Sequence, residues 1–252
     1  MVMSGDGTST FATNSNVQLL GGGDVQLSEQ RELSIQSGAE FLISGGDFTS
    51  TQTSVVNIVD GTLQVNSGNV AFAEESTLTI TKTGGQVIIP GGSVSAIDSS
   101  VLKIYEGVLK IVASSGNNGD LTLKDSSSME VKTGGQVLLL GGGDVVVSES
   151  AMVEIANNGE VKVDGGTAEF KATTELVVND GGALTLTSGG LTLTKNSKAQ
   201  VNTGGLIDVQ GGNLLVTRKA EFWAVKGGRV EVSSGSLILE VCTTPTYVHG
   251  HH

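Results

Sequence analysis

The chain has 252 residues and a net charge of −12 at neutral pH, with 38% hydrophobic residues and only 4% aromatic residues. Its 37 glycines and 2 prolines, together with periodic β-branched apolar residues, argue against both a helical fold and disorder. The single cysteine, Cys242, excludes an intramolecular disulfide framework, and no apolar stretch is long enough to span a bilayer.

Glycines mark a repeat along the chain. They close one short apolar run and open the next at intervals of 23, 24, 22, 28, 24, 23, 23 and 23 residues, at Gly38, Gly61, Gly85, Gly107, Gly135, Gly159, Gly182, Gly205 and Gly228. A fixed period in this range indicates stacked structural repeats. The longest interval contains an additional segment, residues 113–119, which we interpret as a loop inserted at one corner.

Each repeat contains three short alternating runs. In residues 160–182 the inward positions are Val161 and Val163, then Ala168 and Phe170, then Leu176 and Val178. Gly, Asn and Asp between the runs accept the positive φ that tight corners need. The same three columns recur when repeats are superimposed, so that Val145, Ala168 and Leu191 are predicted vertical neighbours.

The sequence therefore predicts an all-β fold, a single-stranded parallel β-helix (β-solenoid) of about ten triangular coils, each of roughly 23 residues with three short strands. We place the solenoid at residues 16–241. Residues 1–15 are interpreted as an N-terminal leader or thin cap. Residues 242–252 are interpreted as a tail, whose His249, His251 and His252 resemble the remnant of an expression tag.

Charge restricts the partners. Residues 1–160 carry 6 Lys/Arg and 18 Asp/Glu, whereas residues 161–252 carry 8 of each. Nucleic acids and anionic membranes need clustered Lys and Arg, so we expect neither nucleic-acid binding nor membrane insertion of this segment.

Conventional catalytic machinery is missing from the predicted solenoid, which contains no histidine. Triads based on histidine and His-based metal sites are therefore excluded there. Glu130 and Glu154 should stack on adjacent rungs beside Lys103, the minimal pair for glycoside hydrolysis. An ordinary Lys–Glu ladder on a solvated sheet accounts for the same residues, and we expect a protein that is not an enzyme.

Acidic residues recur at the exit of the second strand of each coil. Glu74, Asp98, Asp125 and Glu149 should form a vertical acidic ridge. Hard divalent cations bind between such oxygens, which predicts weak Ca²⁺ binding, and a plain solvated ridge is the alternative. No other cofactor is expected.

Several outward residues are candidates for partner binding. Leu215 and Ile238 occupy the last two rungs with Trp223 one face away, Tyr105 lies beside the acid pair, and Asn117 and Asn118 belong to the inserted loop. Thr-x-Thr strings such as residues 185–187 are similar to those of ice-binding solenoids, but their outward column is irregular, so ice binding is a minor alternative.

The pattern of paired glycines followed by alternating aliphatic residues, as in residues 142–148, resembles β-solenoid surface proteins such as bacterial autotransporter passengers and filamentous adhesins. The resemblance covers residues 17–241. It implies a rigid extracellular or cell-surface scaffold for adhesion, with a cell surface, a glycan or another copy end to end as partner. The alternative is a carbohydrate-binding or polysaccharide-degrading β-helix.

Overall fold

The structure is a computed structural model that describes residues 1–113 and 119–240. This part of the chain consists of strands and turns, and no helix in it is long and apolar enough to cross a membrane. The candidates Asn117 and Asn118 and the tail 242–252 lie outside the described residues.

The strands are short, and turns of a few residues separate them. In chain order they are β1 (Val2–Met3), β2 (Gly7–Phe11), β3 (Asn16–Leu19), β4 (Val25–Leu27), β5 (Arg31–Ile35), β6 (Glu40–Ser44), β7 (Phe48–Ser50), β8 (Val55–Val59), β9 (Thr62–Asn66), β10 (Val70–Phe72), β11 (Thr77–Thr81), β12 (Gln86–Pro90), β13 (Val94–Ala96), β14 (Val101–Tyr105), β15 (Val108–Val112) and β16 (Leu121–Leu123). They continue as β17 (Ser128–Lys132), β18 (Gln136–Leu140), β19 (Val145–Val147), β20 (Met152–Ile155), β21 (Glu160–Asp164), β22 (Ala168–Lys171), β23 (Glu175–Val178), β24 (Ala183–Leu186), β25 (Leu191–Thr194), β26 (Lys198–Val201), β27 (Leu206–Val209), β28 (Leu214–Val216), β29 (Glu221–Ala224), β30 (Arg229–Val232) and β31 (Leu237–Leu239).

Every third strand belongs to the same sheet. An 11-stranded sheet A runs from β1 to β31, a 10-stranded sheet B from β2 to β29 and a 10-stranded sheet C from β3 to β30. All pairings between neighbouring rungs are parallel, and Val145 pairs with Ala168, which pairs with Leu191. The predicted parallel β-solenoid with three strands per coil is confirmed, and so is the resemblance to β-solenoid proteins at the level of fold.

The core is a continuous column of inward side chains. The three predicted inward columns are buried over most of their length, and the largest fully buried side chains include Phe41, Phe48, Phe72 and Phe170. Leu237 and Leu239 differ, since these predicted inward residues of β31 are 47% and 37% exposed and no described rung lies beyond them. Dense packing of branched aliphatic residues fills the interior of the prism.

The N-terminal segment belongs to the solenoid rather than to a separate cap. β1 and β2 lie within residues 1–15 and pair in parallel with β4 and β5. The physical reason is that Phe11 packs edge-on against Phe41, with ring centroids 4.9 Å apart, so that this segment contributes to the core. The parallel pairing therefore includes residues that the sequence analysis assigned to a leader.

The regularly spaced glycines have a different role from the one that their sequence suggests. From Gly61 to Gly228 they do not adopt positive φ. They lie directly against the backbone of the preceding coil, and an added Cβ at Gly135 or Gly159 would lie 2.1 Å from a carbonyl oxygen. Gly38 is the exception: it has a φ of +68° and stands one position before this column, which Ala39 occupies in its coil.

This close approach predicts that a single methyl group is harmful in the glycine column. We expect Gly159→Ala to lower the free energy of unfolding by about 3 kcal/mol, because backbone atoms must move apart to admit the Cβ. Gly134→Asn is the matched control, since Gly134 has nothing within 4 Å of its Cβ position and asparagine tolerates its φ of +79°. Urea denaturation of both variants measures the difference, and equal losses would contradict the steric explanation.

Candidate functional site

The most extensive set of interacting polar side chains lies on the outer face of sheet B. We call it the polar strip, and it consists of Tyr105, Glu130, Lys132, Glu154, Asn179, Gln200 and Asn202. Alternation along the strands places these side chains outward, opposite the buried columns. The register sets their spacing, since Glu130 pairs with Glu154 and Tyr105 pairs with Lys132 on adjacent strands.

One end of the polar strip is ionic. The Tyr105 hydroxyl donates to Glu130 Oε2 at 2.5 Å. Lys132 Nζ lies 3.3 Å from Glu130 Oε2 and 2.7 Å from Glu154 Oε2, so it joins the two carboxylates. The predicted stacking of the acid pair is confirmed, and the register places Lys103 beside Glu130. The cation that joins the two carboxylates is Lys132, whereas Lys103 makes no ion pair within the described residues.

Lys132 is a member of the site that was not predicted from the sequence. The available signal was its position two residues after Glu130, which places both side chains on the same face of β17.

The environment holds these groups in their ordinary ionic forms. Burial acts to raise the pKa of Glu130, but hydrogen bonds from Tyr105 and Lys132 and the charges of Lys132 and Lys103 outweigh it and hold that pKa below its usual value. Burial acts to lower the pKa of Lys132, and its bonds to Glu154 and Glu130 raise it instead. Burial and the hydrogen bond to Glu130 raise the pKa of Tyr105 to about 12.

The lowered pKa of Glu130 does not suit the general acid of a glycosidase. Such an enzyme needs one carboxyl group whose raised pKa keeps it protonated near neutral pH. Glu130 is instead held as an anion and is bonded to two donors. Glu130 is therefore suited to accepting hydrogen bonds rather than to donating a proton.

The other end of the polar strip is a chain of amides. Asn179 Nδ2 donates to Glu154 Oε1 at 2.9 Å, Asn202 Nδ2 donates to Asn179 Oδ1 at 2.7 Å, and Gln200 Nε2 donates to Asn202 Oδ1 at 2.5 Å. Trp223 pairs with Gln200 on the next strand. From Tyr105 to Trp223 the distance along the solenoid is about 24 Å, at a strand spacing of about 4.8 Å.

The raised pKa of Tyr105 predicts a loss of stability at alkaline pH. A folded-state pKa of about 12, above the ordinary value of 10.0, means that the stability contributed by the Tyr105 phenol is present below pH 10 and is lost as pH rises toward 12. In a Tyr247→Phe background, which leaves one tyrosine, phenolate absorbance should titrate near pH 12.

Glu130→Gln should lower this midpoint, because the anion that disfavours phenolate is gone, but burial, the largest cause, should keep it above 10. Glu106→Gln removes a neighbouring charge that does not contact the phenol and should leave the midpoint unchanged. A titration midpoint near pH 10 in the protein that retains Glu130 would contradict the raised pKa of Tyr105.

The predicted apolar candidates occupy two different faces. Leu215 and Ile238 pair with each other in sheet A, whereas Trp223 lies in sheet B beside Gln200. The structure therefore brings the first two together and separates them from Trp223. The register also confirms an irregular outward column on sheet A, where Thr49 pairs with Ala71 and Thr122 with Val146.

The acidic ridge is a column of left-handed backbone. Glu74, Asp98, Asp125 and Glu149 have φ between 59° and 64°, and Ala172, Lys195 and Arg218 continue the column with φ of 68°, 60° and 52°. What its members share is conformation, not charge. The acidic side chains bond locally, since the Glu74 amide donates to Asp98 Oδ2 at 3.3 Å and the Asp98 amide to Asp125 Oδ2 at 3.5 Å.

Calcium binding by the ridge stays a prediction. Within the described residues, no group of three or more His, Cys, Asp or Glu is placed so that it could hold a metal ion. The Asp98 and Asp125 carboxylates instead accept from backbone amides, and Glu149 pairs with Lys124 at 3.4 Å.

The hydrogen bond from the Glu74 amide to the Asp98 carboxylate stabilises this corner. We therefore expect Asp98→Ala to lower the free energy of unfolding by about 1 kcal/mol, because the amide loses its acceptor. Lys195→Ala, at an equivalent left-handed position, is the control for changes of side chain at this corner. Calcium binding would instead appear as a melting temperature that rises with millimolar Ca²⁺ and falls with EDTA. A melting temperature that ignores both would end the calcium hypothesis.

Comparisons with known proteins give little further information. No family model matches the sequence, and no curated protein matches it. Among solved structures, the crystal structure of a TibC-catalysed, hyper-glycosylated fragment of TibA is 18% identical, with 97% of this chain and 100% of that chain covered and a TM-score of 0.26. A TM-score this low bears on neither fold nor function, and the β-solenoid assignment rests on the strand pairing of this chain.

Proposed function

We propose that this protein is a non-enzymatic β-solenoid scaffold, displayed outside the cell, that presents a partner-binding surface in adhesion. The observation that carries the proposal is the filled interior, in which inward side chains from Met3 to Phe222 form one buried apolar cluster. In such a solid prism, binding has to occur on the outer faces.

Rigidity supports the same function. Each inner rung is hydrogen-bonded to a rung on either side in all three sheets. Side chains reinforce a corner as well, where Asp24 Oδ1 accepts from the Asp47 amide at 3.0 Å and Asp47 Oδ1 accepts from the Asn69 amide at 2.8 Å. A scaffold built in this way holds outward residues at fixed spacings, which suits the display of a binding surface.

The contacts of Glu130 and Glu154 support a binding role over the polysaccharide-degrading alternative, because Tyr105, Lys132 and Asn179 already engage both carboxylates. Assays of sugar release from neutral and acidic polysaccharides should show no turnover. Fluorescently labelled protein should bind to cells in flow cytometry. Sugar release that Glu130→Gln or Glu154→Gln abolishes would establish the enzyme instead, and absence of cell binding would contradict adhesion.

End-to-end association with a second copy remains the other proposed interaction. Light scattering at rising protein concentration measures it directly. Growth in particle mass with concentration would support such assembly, and a constant monomer mass would contradict it.

A further inference from the structure

The amide chain of the polar strip has a fixed direction. Glu154 is ion-paired with Lys132 at 2.7 Å, and a carboxylate can only accept hydrogen bonds. Asn179 must therefore turn its NH₂ group toward Glu154 and its carbonyl oxygen toward Asn202. The same reasoning orients Asn202 and then Gln200, so one anion determines the orientation of three amides whose oxygen and nitrogen are otherwise easily exchanged.

The consequence lies at the far end of this chain. Gln200 uses its NH₂ group to bond Asn202, and within the described residues no hydrogen bond engages its Oε1. Gln200 pairs with Trp223 on the neighbouring strand. An acceptor oxygen with a fixed orientation therefore lies on the same outward column as an aromatic ring.

Trp223 is the only tryptophan of the chain. It follows the buried Phe222 on β29, so alternation turns it outward, where it is half-buried. Val225, which is 38% exposed, follows directly after the end of β29. An indole ring in this setting offers a flat apolar surface to a ligand.

The two strands that carry Gln200 and Trp223 hold one cation and one anion. Lys198 and Glu221 lie on the adjacent outward column of these strands, with Lys198 Nζ 3.8 Å from Glu221 Oε2. This pair adds no net charge beside the indole ring, and the lone pairs of Gln200 Oε1 repel an anionic oxygen. The surface thus favours a neutral ligand that has an apolar face and donates hydrogen bonds from its rim.

A neutral pyranose has this chemistry, since its C–H groups form an apolar face and its hydroxyls donate from the edge. We propose that Trp223 and Gln200 form a binding site for a neutral pyranose unit of a glycan, with the sugar face against the indole ring and a sugar hydroxyl donating to Gln200 Oε1. The site specifies the ligand class of the adhesive surface and rests on the proposed function for its biological role. Glu154 acts as a positioning residue, through Asn179 and Asn202.

The fluorescence of the single tryptophan provides the assay. Cellohexaose, mannohexaose and maltohexaose are the neutral probes, and hexagalacturonate is the anionic probe. At least one neutral hexasaccharide should give a saturable change in Trp223 emission, with affinity about tenfold above that of hexagalacturonate.

Calorimetry then tests the two residues, because Trp223→Ala also removes the reporter. Trp223→Ala should abolish binding, and Gln200→Leu should weaken it about tenfold through the loss of one hydrogen bond. Gln64→Leu makes the same change on sheet C, where Gln64 Nε2 donates to Asn66 Oδ1 at 2.8 Å, and should bind as the unaltered protein does. Circular dichroism confirms that each variant is folded.

The positioning role of Glu154 has its own readout. An O-methylated hexasaccharide can accept hydrogen bonds but cannot donate them, so the unaltered protein should discriminate against it. In Glu154→Gln the amides are free to reverse and Gln200 can present its NH₂ group, so this discrimination should be lost. If Glu154 had only a structural role, Glu154→Gln would weaken the binding of both sugars equally.

Two results would overturn the site: no neutral hexasaccharide binding in the millimolar range, or tighter binding of hexagalacturonate. If cell binding persists in Trp223→Ala, the site is wrong as the adhesive contact while the proposed scaffold function stands. If the unaltered protein binds sugar but no cells, the site stands and adhesion fails.

Discussion

Backbone contact between successive coils is the constraint on which this structure depends. At a strand spacing of about 4.8 Å, two corners of the triangle bring the chain of one coil against the carbonyl groups of the coil before it. At Gly166 and Gly189 a Cβ would lie within 1.9 Å and 1.5 Å of a carbonyl oxygen. Glycine is needed there because of the lack of space, and this in turn holds the coils in register, so that inward residues form one core and outward residues form straight columns.

The columns give the outer surface its chemistry. On sheet B the register places Glu130 opposite Glu154, an arrangement that repels unless a cation lies between them, and Lys132 supplies that cation. Glu154 then orients a chain of amides that spans the next two rungs and ends one rung before Trp223. Electrostatics at one rung thereby determine hydrogen-bonding character two rungs away, without any movement of the backbone.

Periodicity made the architecture readable from the sequence. Alternating residues and a 23-residue period predict the three buried columns, and Val145, Ala168 and Leu191 do stack as expected. The backbone conformation of individual corner residues and the orientation of individual side chains were harder to predict. As predicted, positive φ falls on corner residues such as Gly181 and Asp98, but it also falls on Lys195, because the shape of a corner is set by its neighbours in three dimensions. The orientation of Gln200 depends on contacts to Asn202 and beyond, which no local pattern in the sequence specifies.

The strict register also limits how the length of such a chain can change during evolution. Because each coil closes on the next with the same three columns, removal of one complete repeat, such as residues 160–182, would join two segments whose inward residues already match. Gain or loss of whole coils therefore alters the length of the molecule in steps of about 4.8 Å and leaves the core continuous. A shift by a single residue within a strand would instead turn its buried side chains outward, so insertions shorter than a repeat are confined to the corners, as in the 28-residue interval.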